Sequence, residues 1–204
     1  SNITPFPAQV YTEIISHSLA GRKINMFDIY KYEMLNLPKE AKFVYPVIEN
    51  DNEYVVKLFI ENNLNPHKTV ILSPYANTVI GYPLTFWSYL IERLKKLNYS
   101  VCTNCNGKEK ELPGTIRLSF PLDKAKNVLD NAGYFIGLRS GFCDIVCNSN
   151  CKKIIIYPQY DIFNSSVYEF CSFKKMGIGS NYKEVRWTYD KMDKLVDTIL
   201  VNMK

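Results

Sequence analysis

The sequence predicts an α/β fold, a Rossmann-like parallel sheet with helices on both faces, preceded by a helical appendage. Three observations predict it. From Lys68 onward, short apolar runs alternate with amphipathic stretches and polar loops. The run Tyr134-Phe135-Ile136-Gly137-Leu138 is apolar without a break, as in a strand buried on both faces of a parallel sheet. It ends in Arg139-Ser140-Gly141, a small-residue turn of the kind that passes a strand into a helix. Strands separated by helices require right-handed crossovers, and those make a parallel sheet.

Residues 1–65 read as a helical appendage or linker. Val10, Ile14, Ile15 and Leu19 recur at helical spacing over residues 7–19, and Gly21 stops that helix. Residues 26–35 give a second helix, with Pro38 at its exit. Residues 43–48 form a short extended segment, and residues 53–62 a third helix with Tyr54, Val55, Leu58 and Phe59 on one side.

Residues 66–204 form the Rossmann-like domain. Thr69-Val70-Ile71-Leu72 is the first strand, followed by the polar loop 73–78. Residues 83–97 are a helix with Pro in the first turn and Phe86, Leu90, Ile91 and Leu94 facing the core. The second strand is 100–103 and the third 115–118. Asp123 N-caps a helix reaching Ala132. The fourth strand and its turn follow, with a helix over 144–147. The fifth strand carries Ile154, Ile155 and Ile156, and residues 190–203 close as an amphipathic helix.

The chain has 204 residues, enough for one large domain or one domain with an appendage, and its 47% hydrophobic content is that of a globular protein with a core. The net charge of +5 is spread along the chain. It fits an anionic small ligand or an anionic surface and does not call for nucleic acid. No run of about 18 apolar residues and no secretory signal is present. The opening Ser1-Asn2 matches the remnant of a cleaved tag, which predicts further native sequence upstream.

Six cysteines read as small, buried, reduced thiols. Cys143, Cys147 and Cys151 recur every four residues and would stack on one face of a helix, but neither histidine lies near them in sequence. No metal is expected. A GxGxxG fingerprint and a P-loop are both missing, which excludes the usual NAD and NTPase motifs.

In open parallel sheets, ligands bind beyond the carboxyl ends of the strands, at the point where strand order reverses. The candidate site residues therefore come from the loops at that edge. Ser140 and Gly141 offer backbone N–H groups at a helix start, Ser140 as a cap and Gly141 as a place for close approach. Arg139 supplies a forked cation suited to phosphate, and Asp144 lies within one helical turn of it. Asn77 and Thr78 sit in the first loop, Thr103, Asn104 and Gly107 in the second. Pro121 and Leu122 sit in the loop after the third strand. Turn chemistry and ordinary helix capping account for the same residue types. Tyr157, Tyr160, Phe163 and Tyr168 serve either packing or stacking on a ligand ring.

The order of a Pro-containing loop after the first strand, Pro121-Leu122 after the third and Ser140-Gly141 after the fourth resembles the nucleotide-sugar-binding half of GT-B glycosyltransferases. It is most similar to the C-terminal domain of heptosyltransferase-like enzymes of glycosyltransferase family 9. The resemblance covers roughly residues 66–204. The family turn, Asp-Ser-Gly-x-x-His, is matched here by Arg139-Ser140-Gly141-Phe142-Cys143-Asp144. Ser140 and Gly141 carry over, whereas Arg139 replaces the acid and Asp144 the histidine. A family lysine before the first helix is replaced by Ile80-Gly81-Tyr82-Pro83.

The resemblance implies the donor-binding part of a transferase acting in bacterial cell-surface glycan synthesis. It implies a nucleoside diphosphate sugar as donor substrate, no separate cofactor, and a glycan or lipid-linked acceptor. It also implies a missing N-terminal domain or partner chain, and a location in the cytoplasm or on the inner face of the membrane. Two alternatives from other classes remain: a non-catalytic nucleotide-sugar-binding or assembly module, and a sugar-nucleotide epimerase-like enzyme.

Overall fold

The computed structural model describes residues 25–77, 79–159, 161–162, 165–187 and 191–203. The helix expected over residues 7–19 lies outside this set. The chain divides into two units. One holds Tyr45–Pro158 and the chain from Ile178 on; the other holds the described residues up to Val44 together with Gln159–Gly177.

In the first unit the strands are β1 (Thr69–Ser73), β2 (Ser100–Asn104), β3 (Ile116–Leu118), β4 (Gly133–Leu138), β5 (Lys152–Pro158) and β6 (Tyr182–Trp187). They form one sheet in the order β3-β2-β1-β4-β5-β6, and every pairing is parallel. The predicted parallel sheet is confirmed, with one strand more than the sequence showed. β1 is buried at all five residues, as expected of a central strand covered on both faces of a parallel sheet. β6 escaped the sequence because it pairs on one side only and charged residues break its apolar run: Val185 and Trp187 are buried while Lys183 and Arg186 are exposed.

The helices are α1 (Asn52–Glu61), α2 (Leu84–Lys96), α3 (Ala125–Ala132), α4 (Gly141–Ile145) and α5 (Met192–Met203). α2 connects β1 leftward to β2, whereas α3 connects β3 rightward to β4. Right-handed crossovers therefore place these two helices on opposite faces. α5 packs against α2, and Arg93 ties them through Asp197 at 3.0 Å. Phe86, Trp87, Leu90, Ile91 and Leu94 make the buried stripe of α2. Tyr82 and Phe86 bring their rings to 4.2 Å and 5.7 Å from the Trp187 ring, closing that face over the edge strand.

α3 starts later than predicted. Asp123 lies inside a 3₁₀ turn, Leu122–Lys124, rather than at an N-cap. Lys124 instead pairs with Asp51 at 2.7 Å, and Asn127 donates to the Glu49 carbonyl at 2.7 Å. α1 buries Val55 and Phe59 and packs on α3. The boundary between the units thus falls at Tyr45, upstream of residue 66, because the apolar stripe of α1 finds its partner on α3. Residues 43–48 take no regular secondary structure.

At Gly133, between α3 and β4, the backbone turns with φ +94°, and a Cβ would lie 2.9 Å from the His67 Cα. Only glycine meets both conditions.

In the second unit, Asn25 and Asp28 form a reciprocal capping box around the helix Met26–Asp28, which continues as a π turn, Ile29–Met34. The helix predicted over residues 26–35 is therefore present, with a widened second half. Phe27 and Phe43 approach to 5.1 Å, and Asn25 donates to the Lys175 carbonyl. A two-stranded antiparallel pair, Asp161–Ile162 with Ser165–Ser166, leads into the short helices Val167–Cys171 and Phe173–Met176, capped by Ser166 and Ser172.

Candidate functional site

The sheet order reverses between β1 and β4, so the crevice for a ligand opens beyond the carboxyl ends of these two strands. The loops after β1, β2, β3 and β4 all lie at that edge. Most of the sequence-predicted site residues are there, but their side chains do different work.

Arg139 is only 3% exposed. Its guanidinium donates to the Ser140 carbonyl and to Asp144 Oδ1, the latter at 2.7 Å. Both arms of the fork thus hold the turn itself. Burial pushes the Asp144 carboxyl above the usual carboxylate range, and the Arg139 charge opposes this. The Arg139 N–H also donates to the Ile156 carbonyl at 3.0 Å, extending the ladder to β5 by one rung.

Ser140 occupies the N-cap position in extended backbone, yet its hydroxyl makes no capping bond and lies 3.7 Å from Cys143 Sγ. The expected side-chain cap is replaced by this sulfur contact. α4 begins at Gly141 and is five residues long, so the helix predicted over 144–147 is shifted three residues upstream. A helix this short adds little macrodipole, and the capacity for an anion resides in the backbone N–H groups of its first turn. Gly141 is exposed, and a Cβ there would meet nothing within 4 Å. Space therefore lies open directly in front of the turn.

The early end of α4 also undoes the expected cysteine stack. Cys143 is on the helix, Cys147 in the turn after it and Cys151 just before β5. All six cysteines are free and buried. Among the described residues, no group of three or more His, Cys, Asp or Glu side chains is arranged to hold a metal ion.

The β2 side of the crevice is built by polar side chains turned inward. Thr103 shares a hydrogen bond with Thr115 at 2.6 Å and accepts the Leu112 N–H at 3.1 Å, so its hydroxyl closes the loop after β2. Arg117 donates to the Gly107 carbonyl at 3.1 Å and to the Glu109 carbonyl, fixing the tip of that loop. Tyr75 donates from the loop after β1 to the Lys110 carbonyl, linking the two loops. Asn104 is buried at the end of β2. Asn77, Pro121 and Leu122 are exposed on the rim, and Thr78 lies outside the described residues.

The sequence reading missed Phe142. Its ring lies 5.9 Å from Phe135 and 6.2 Å from Phe120, joining the turn after β4 to the strand below and to the loop after β3. An aromatic residue immediately after Ser-Gly was the available signal. Of the expected aromatic group after β5, Tyr157 is buried within the strand and Tyr168 half-buried; Tyr160 and Phe163 lie outside the described residues. No helix among the described residues is long and apolar enough to cross a membrane.

No family model matches the chain, and no curated protein matches it in sequence. Solved structures match it in fold. It is similar to the Escherichia coli ADP-heptose lipopolysaccharide heptosyltransferase II (TM-score 0.59, 12% identity, covering 83% of this chain and 56% of that one). It is similar to a glycosyl transferase family 9 protein from Veillonella parvula (0.56, 12%, covering 88% and 53%). A third is the E. coli heptosyltransferase WaaC with ADP (0.52, 15%, covering 84% and 53%). The fold is that of a heptosyltransferase-like GT-B half domain, as the resemblance implied. The chain spans little more than half the length of each of these structures.

Proposed function

We propose that this chain is the donor-binding part of a GT-B-like glycosyltransferase that acts in bacterial cell-surface glycan synthesis. A nucleoside diphosphate sugar lies across the carboxyl edge, with its diphosphate at Ser140–Gly141 and its base toward the ends of β2 and β3. The nucleotide sugar is the donor substrate, and no further cofactor takes part. The acceptor, a glycan or lipid-linked sugar, is held by a domain or partner chain beyond this one. The six free cysteines fit a reducing compartment, and we place the protein in the cytoplasm.

The observation that carries this reading is the open, internally braced turn at the β1/β4 crevice, set in a fold shared with heptosyltransferases. Glycosyl transfer from such a donor needs stabilisation of the departing diphosphate. Backbone N–H groups fixed in advance supply it without reorganisation. Arg139 and Asp144 then act as positioning residues that keep those groups aligned, and Asp144 remains within reach of sugar hydroxyls.

Calorimetry with a panel of nucleoside diphosphates and their sugars tests the proposal. Gly141→Leu fills open space, so it is expected to melt like the parent and to bind at least ten-fold more weakly. Arg139→Ala, which releases the turn, is expected to weaken binding by about one to two orders of magnitude. Binding untouched by Gly141→Leu, or no binding by the parent, overturns the reading.

A further inference from the structure

Asn104 closes β2, and its side-chain oxygen is buried without a hydrogen-bond partner. The residue is 9% exposed. An amide oxygen stranded in an interior is destabilising, and native chains carry few such groups. Its neighbours have found partners. Thr103 bonds to Thr115, the Cys105 N–H goes to the Leu118 carbonyl at 2.8 Å, and Asn106 accepts the Phe120 N–H at 3.3 Å.

Its place in the sheet gives the amide a purpose. Leu72 pairs with Thr103 and Ser73 with Gly137. Asn104, Ser73 and Gly137 therefore form one row across β2, β1 and β4, on a common face at the carboxyl edge. Two strand spacings, roughly 10 Å, separate the amide from β4. That is the reach of a nucleoside from its phosphate to the edge of its base.

We infer that Asn104 reads the base of the nucleotide: its side-chain oxygen accepts an N–H from the base when the diphosphate rests at Ser140–Gly141. This rests on the nucleotide reading above and names the group that selects the base. A ligand with an N–H at that position satisfies the oxygen. One without it leaves a desolvated acceptor unpaired, which is how buried polar groups discriminate strongly. The amide therefore costs the free protein stability and returns it as specificity.

Asn104→Leu keeps the shape and removes the polar group, and Asn104→Ala, which cannot overfill the site, is read in parallel. Each is melted without ligand and titrated with ADP, UDP, GDP, CDP and inorganic pyrophosphate. The Leu variant is expected to melt at the parent's temperature or above it. It should bind the parent's preferred nucleotide at least ten-fold more weakly, discriminate less among bases, and bind pyrophosphate as the parent does. Unchanged nucleotide affinity overturns the inference, as does a clear fall in melting temperature in both variants, which would make the amide structural. If the parent binds none of the nucleotides, the nucleotide reading fails first. If the parent binds and the variants match it, only the role of Asn104 fails.

Discussion

The ring of Phe135 lies over Gly137, two residues further along the same strand and on the same face. A Cβ on Gly137 would come within 2.7 Å of the ring's Cε1. The glycine is thus the floor on which Phe135 rests, and through Phe135 it supports Phe142 in the turn after β4.

Gly137→Ala is expected to destabilise the protein by about 1–3 kcal/mol, the usual cost of overfilling a packed core. Urea melts measure this directly. Trimming the ring with Phe135→Leu should recover part of the loss in the double variant. Strictly additive costs would show that the two residues do not share this space.

Asp144 gives a pH signature. Its folded-state pKa is raised by burial, so the folded protein holds that proton more tightly than the unfolded chain. The corresponding stability is complete below the unfolded carboxylate pKa of about 3.9 and is lost as pH rises through the folded value. Asp144→Asn keeps an oxygen for Arg139 and removes the titration. The variant should gain on the parent as pH rises from about 4 toward neutrality; a constant difference in denaturation midpoint across that range would refute the assignment.

Lys153 is fully buried in β5. It donates to the Ser149 carbonyl at 2.5 Å and the Cys151 carbonyl at 3.1 Å. Lys153→Met leaves both oxygens short of a partner and should cost about 1–3 kcal/mol. Burial lowers the ammonium pKa, so the unfolded chain binds this proton more readily. The parent therefore gains stability as pH rises toward the ordinary lysine pKa. Denaturation at mildly alkaline pH should show that gain in the parent and not in the methionine variant.

The thiols should be inert in the native state. Burial pushes Cys102 to about 12 and Cys151 to about 11, and a thiolate is the reactive form. An aromatic disulfide reagent at pH 8 is expected to label none of the six cysteines within minutes, and all six in denaturant. Rapid labelling of any cysteine in the native protein would contradict the burial described here.

β1, β4 and β5 were legible because each is an apolar run closed by turn residues. β6 was not, since the exposed Lys183 and Arg186, one on each face, interrupt its apolar run. Ser140 and Gly141 were legible as a small-residue turn. The inward fold of Arg139 onto Asp144 was not, because both side chains are long or polar enough to point either way. Thr103 and Asn104 look alike in sequence, two polar residues ending an apolar strand. What separates them is Thr115, twelve residues on from Thr103, which occupies the one hydroxyl, while the amide oxygen of Asn104 has no hydrogen-bond partner.

The strand order also bears on how the chain folds. β1 joins β2 across one helix, and β4 joins β5 across one short turn of helix, so each half of the sheet can assemble from nearby sequence. Pairing Thr69 with Gly133 is the long loop closure that unites them, and late, non-local closures set the pace of folding in such sheets. The seam that closes slowest is the one along which the crevice opens. A nucleotide bound there would bridge the two half-sheets, and because its site is complete only after the joint has closed, it would slow loss of the native state more than it speeds arrival.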